Sequence, residues 1–132
     1  MKKVFVILLM ICLICSGCGE SPGVDSGVSG EYQKISAQQA KDIMDGDDPY
    51  ILLDVRTAEE FNSQHIEGAV NIPVDEIGQS ISAEIPDKDT LVLVYCRSGG
   101  RSASATQEMS RMGYTNVYDF GGIINWPFDT VS

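Results

Sequence analysis

Cys96 stands in the run Val94-Tyr95-Cys96-Arg97-Ser98-Gly99-Gly100-Arg101-Ser102, where an apolar segment gives way to a small, glycine-rich, cationic loop. The chemistry open to such a cysteine is nucleophilic. A thiolate attacks where a thiol does not, and backbone amides, cations and a helix N-terminus all favour the thiolate. Gly99 and Gly100 allow the chain to curl with the N–H groups of residues 97–101 turned inward, in conformations costly for other residues. A helix opening near Ser102 adds the positive end of its dipole. Arg97 and Arg101 add two full charges. The residues expected to cradle an anionic sulfur and its substrate are therefore Arg97, Ser98, Gly99, Gly100, Arg101 and Ser102.

The other cysteines sharpen this reading. Of four in the chain, Cys12, Cys15 and Cys18 all lie near the start. Met1-Lys2-Lys3 is basic, and the apolar run from Val4 to Cys15 is too short to span a bilayer but suits a signal-peptide core. Cys18 follows Ser16-Gly17, which resembles a bacterial lipobox, although Cys15 stands where leucine is usual. The expectation is a signal peptide over residues 1–17 and an exported, cell-envelope protein anchored to a membrane by an acyl group on Cys18. The plainer alternative is an ordinary secretory signal, cleaved nearby to leave a free periplasmic or secreted protein. Cleavage before Cys18 would leave Cys96 with no intramolecular disulfide partner and no C-x-x-C motif. No metal-ligand set is visible, and no cofactor is expected.

The chain has 132 residues, 19 of them acidic against 9 basic, for a formal net charge of −10. Removing the leader would take away two lysines and make it more acidic still. Such a balance excludes nucleic acid and an anionic membrane surface as binding partners of the domain, and suits a solvated acidic coat. Nothing in the sequence calls for an oligomer, and a monomer is expected.

Positioning Cys96 falls to the elements around it. Residues 18–30 are the lipidated cysteine and a glycine- and serine-rich tether. Residues 31–132 form one domain in which strands and helices alternate. Tyr32–Ile35 reads as a strand, and Ser36 to Gln39 as a capping box opening a helix to about Asp45. Tyr50–Val55 and Thr90–Tyr95 are continuous apolar runs, as in strands buried on both faces of a parallel sheet. Thr57 caps a short helix from Ala58 to about Ser63, Ala69–Ile72 forms a strand ended by Pro73, and a weaker helix lies between Asp75 and Ile85. A helix from about Ser102 to Met112 is closed by Gly113. Asn116–Phe120 is the last strand, with a short helix near Ile123 to Trp126. The pattern predicts an α/β domain with a small, open, mostly parallel five-stranded sheet flanked by helices. Ligands of such sheets bind beyond the C-terminal strand ends, where Cys96 and Asp54 both fall.

Three stretches together resemble the rhodanese-like domain. They are Leu53-Asp54-Val55-Arg56 with Glu59-Glu60-Phe61 and His65-Ile66-Glu67-Gly68-Ala69-Val70-Asn71-Ile72-Pro73, then Cys96 to Ser102, then Val117 to Trp126. The resemblance implies a sulfurtransferase, in which Cys96 takes a sulfane sulfur from thiosulfate or another persulfide donor and passes it to cyanide or a thiol. It also implies a loop suited to sulfur: Cys96 to Arg101 is Cys-x4-Arg, whereas related phosphatases use Cys-x5-Arg, and here position 102 is serine. A phosphatase or arsenate reductase is thereby disfavoured. A non-catalytic rhodanese-like module binding anions or a protein is the other alternative, and retention of Cys96 argues against it. Three residues are expected in supporting roles. Asp54 either orients the loop or caps a helix, Arg56 pairs with Glu60 at helical spacing, and His65 makes a structural hydrogen bond rather than acting as a general base.

Overall fold

The structure is a computed structural model and describes residues 32–132; the expected signal peptide, Cys18 and the expected tether lie outside them. The five strands among the described residues are β1 (Gln33–Lys34), β2 (Ile51–Asp54), β3 (Val70–Asn71), β4 (Val92–Cys96) and β5 (Val117–Gly122). They form a single sheet in the order β1-β5-β4-β2-β3. Every pairing is parallel. The two most apolar strands, β2 and β4, occupy the interior of the sheet, as runs without alternation should. The exposed two-residue β1 closes one edge with a lysine.

Among the described residues four helices cover the two faces: α1 (Ala37–Met44), α2 (Ala58–Ser63), α3 (Ile77–Glu84) and α4 (Gly100–Arg111). Ser36 and Thr57 each complete a capping box, with Gln39 and Glu60 reaching back to the cap N–H. Short 3-10 turns replace helix at Val74–Glu76 and at Ile123–Asn125. The latter region was expected to be helical, but three residues between Gly122 and the extended Trp126 leave room for one turn only.

Alternation along the strands builds two cores. Leu53 and Val55 of the β2 segment, with Val92, Val94 and Cys96 of β4, pack under α3 and α4 against Ile77, Ile81, Ala105 and Met109. Leu52, Leu93 and Tyr95 face the other way, against Ala40, Ile66, Phe120 and Trp126. This parity decides the position of the thiol. Cys96 belongs to the face covered by α4, so its side chain arrives beneath the start of that helix.

Candidate active site

Cys96 is the last residue of β4, and only Arg97, Ser98 and Gly99 separate it from α4. The helix therefore begins at Gly100, earlier than the expected Ser102, which shortens the loop and brings the helix start closer to the sulfur. Gly99 makes this turn with φ +108, a left-handed conformation that side chains rarely adopt. From that position its N–H donates to Cys96 Sγ at 3.0 Å. The Cys96 thiol donates to the Ser102 hydroxyl at 3.5 Å, and that hydroxyl donates to Gly99 O at 3.0 Å. No side chain caps α4, and the sulfur stands at its open end.

These contacts compete with burial, because Cys96 is only 1% exposed. Desolvation pushes the thiol up, but the Ser102 hydroxyl and the amides of Ser102, Gly99 and Ser98 outweigh it and hold the thiol below its ordinary range. The cradle is narrower than the sequence reading of residues 97–101. Gly99 supplies the amide at hydrogen-bond distance, while Gly100 and Arg101 already belong to the helix.

A second glycine holds the loop from behind. A Cβ on Gly122 would meet Arg97 O at 2.1 Å and Ser98 Cα at 2.6 Å, so only glycine admits this approach of β5 to the loop. Ile124 N–H donates to Arg97 O at 3.2 Å, and Asp119 Oδ1 accepts the Gly121 N–H at 2.9 Å. Asp119, Gly121 and Gly122 were absent from the residues expected at the site. Their signal was the Val117–Trp126 stretch of the family resemblance, in which the pair Gly121-Gly122 stands between a strand and a short helix.

The arginines divide differently from expectation. Arg56 does not pair with Glu60, because Arg56 precedes α2 and the helical spacing does not apply to it. It binds Asp54 through Nε and Nη2, the shortest contact being 2.7 Å, and donates to Gln64 O at 2.6 Å. Asp54 shares its register with Tyr95, on the sheet face opposite Cys96, and its carboxylate hydrogen-bonds only Arg56, so it caps no helix and makes no hydrogen bond to the loop. Both members are buried. Glu60 pairs instead with Arg101: Nη1 donates to Oε2 at 2.7 Å and Nη2 to Oε1 at 2.9 Å. Hydrogen bonding to Arg101 holds the Glu60 carboxyl down at about 2. Arg97 is exposed and forms no ion pair among the described residues.

His65 lies away from the thiol's hydrogen bonds. Its ring stacks on Phe61 at 3.9 Å, and Nδ1–H donates to Phe61 O at 2.8 Å. Backbone bonds tie it to Val131. A cleft of about 420 Å³ opens beside the loop, with Lys34, Ser98, Gly99 and Asp119 in its wall. Among the described residues no group of histidine, cysteine and carboxylate side chains is placed to hold a metal.

A parallel α/β sheet with a thiol at the end of its central strand, beneath a tight loop into a helix, defines a class, and sequence comparison agrees. The chain matches the model of the rhodanese-like domain family over residues 36–127 and belongs to that family. It is 42% identical over 71 residues to the thiosulfate sulfurtransferase PspE of Escherichia coli (strain K12), covering 54% of this chain and 68% of that protein. It is 39% identical over 85 residues to thiosulfate sulfurtransferase 16, chloroplastic, of Arabidopsis thaliana, covering 56% of this chain and 71% of that protein. A solved structure described as rhodanese with anions from E. coli is 37% identical and superposes with a TM-score of 0.60, covering 64% of this chain and 99% of its own.

Proposed function

We propose that the protein is a sulfurtransferase that carries a sulfane sulfur on Cys96, from thiosulfate or an organic persulfide donor to a thiophilic acceptor such as cyanide or a thiol. One observation carries the reading: the Cys96 sulfur accepts the Gly99 N–H at 3.0 Å at the open start of α4, in a setting that lowers its pKa. The names of the similar proteins support it.

The Cys96 thiolate attacks the outer sulfur of thiosulfate. The new S–S bond forms as the bond to the sulfonate sulfur breaks, and sulfite leaves with the electron pair. The persulfide anion left on Cys96 carries the charge the thiolate carried, so the same Gly99 amide holds it, and the Ser102 hydroxyl joins in by turning its proton from Gly99 O to the sulfur. Attack by the acceptor on the outer sulfur then returns the thiolate. Sulfite is a stable anion at neutral pH, so the step needs no general acid. That requirement matches a site where the only histidine hydrogen-bonds a backbone carbonyl.

Mass spectrometry of the protein after incubation with thiosulfate tests the reading. Cys96 should gain the mass of one sulfur atom, lose it to cyanide, and remain unmodified in Cys96→Ser. An unmodified Cys96 in the native protein would favour a binding module instead. Steady-state kinetics should be ping-pong.

We further propose that the chain is exported and anchored by acylation of Cys18. The basic start, the short apolar run and the Ser16-Gly17-Cys18 sequence support this. Incorporation of labelled fatty acid should disappear in Cys18→Ala; no incorporation by the native chain would refute the anchor.

A further inference from the structure

Arg101 would be the natural second cation of an anion site, yet its charge is already matched. Glu60 is itself fixed: Oε2 accepts the Thr57 N–H and hydroxyl, each at 3.0 Å, as part of the capping box of α2. Arg101 meets this anchored carboxylate with two parallel hydrogen bonds, across 41 residues of sequence. Both side chains are about one-third exposed, 34% and 29%. The pair therefore presents a dipole at the loop rather than a full positive charge. Some of the five guanidinium N–H donors stay available, so Arg101 can still orient an oxygen. Its attraction for charge as such is largely cancelled. Around the loop this leaves Arg97, and Lys34, which shares its cleft with Asp119. The whole chain opposes a dianion further with its net charge of −10.

We propose that Glu60 is a specificity-determining residue which, by neutralising Arg101, shifts the site's preference from the thiosulfate dianion toward sulfane-sulfur donors with a single negative charge, such as thiosulfonates and organic persulfides. This deepens the sulfur-transfer reading and rests on it. Both donor classes undergo the same step. With thiosulfate, the Cys96 thiolate takes the outer sulfur and releases sulfite. With an alkanethiosulfonate, it takes the outer sulfur and releases the sulfinate. In each case one S–S bond forms, one breaks, and total charge is conserved.

The test is a charge cycle. The ratio of kcat/KM for thiosulfate to that for methanethiosulfonate is measured at low ionic strength in the native protein, Glu60→Gln, Arg101→Gln and the double variant. Glutamine at this position retains the capping box, so Glu60→Gln keeps α2 while freeing the Arg101 charge. The ratio should rise about three- to tenfold in Glu60→Gln and fall by a similar factor in Arg101→Gln. In the double variant, where the pair again sums to zero charge, it should return close to the native value. High salt should compress these differences. A ratio unchanged in Glu60→Gln, or a double variant that simply adds two losses, overturns the proposal and leaves the pair a structural tie. Absence of a sulfur adduct on native Cys96 with either donor overturns the sulfur-transfer reading, and the proposal with it.

Discussion

Two arginine–carboxylate pairs follow the ends of β2 and β4, and they serve different purposes. Arg56 and Asp54 are buried, at 4% and 0% exposure, on the sheet face opposite Cys96. They fasten the exit of β2 to Gln64, while Asn71 of β3 donates to the carbonyls of Asp54 and Arg56. Arg101 and Glu60 are about one-third exposed, on the loop side. A buried charge must be paired or it destabilises the fold, whereas a half-exposed pair contributes little to stability. Hence the first pair is a fastening of the fold, and the second is free to shape the field that a substrate meets.

That contrast orders the expected effects. Either Asp54→Ala or Arg56→Ala strands a buried charge and should cost about 3–5 kcal/mol, read as a fall in the denaturant midpoint. A loss below ~1 kcal/mol would show that the two pairs are alike. Gly122→Ala touches neither pair but forces Arg97 and Ser98 away from β5. Displacing the loop by about 1 Å should reduce sulfur transfer by about 100-fold, with most of the fold retained. Ser102→Ala removes a hydroxyl that steadies the sulfur, so the Cys96 titration should move up and transfer at neutral pH fall about tenfold.

The smallest effect is the one that most sharpens the comparison. Arg101→Gln should change stability by less than about 1 kcal/mol at neutral pH. The Glu60 carboxyl is depressed in the folded protein, so what the pair contributes is fully present above the ordinary glutamate range. It is lost as pH falls through about 2, where Glu60 takes up a proton. Denaturant midpoints of the native protein and Arg101→Gln should therefore differ at pH 7 and converge near that point. A difference that persists there would mean that Arg101 stabilises through packing rather than charge.

Much of the fold was legible because burial writes itself into local pattern. The apolar runs at Ile51 and Val92 announced central parallel strands, and the capping box at Ser36 and the cap at Thr57 announced where two helices begin. The exit of β4 likewise placed the thiol. What stayed hidden depends on contacts distant in sequence. Glu60 was assigned to Arg56 because helical spacing is a local rule, while its partner lies in another helix. The face on which Asp54 falls follows from its register with Tyr95, which no local motif states. Gly122 reads as a boundary until β5 is laid against the loop.

The claim that supports the rest is that Cys96 is a stabilised thiolate, and the pH dependence of its alkylation tests this most directly. The rate of carboxymethylation at Cys96, followed by mass spectrometry across the pH range, should show a midpoint below that of an unperturbed cysteine, rising when Ser102 is replaced by alanine. A midpoint at or above the ordinary thiol value would mean that burial prevails over the hydrogen bonds, and would contradict the account.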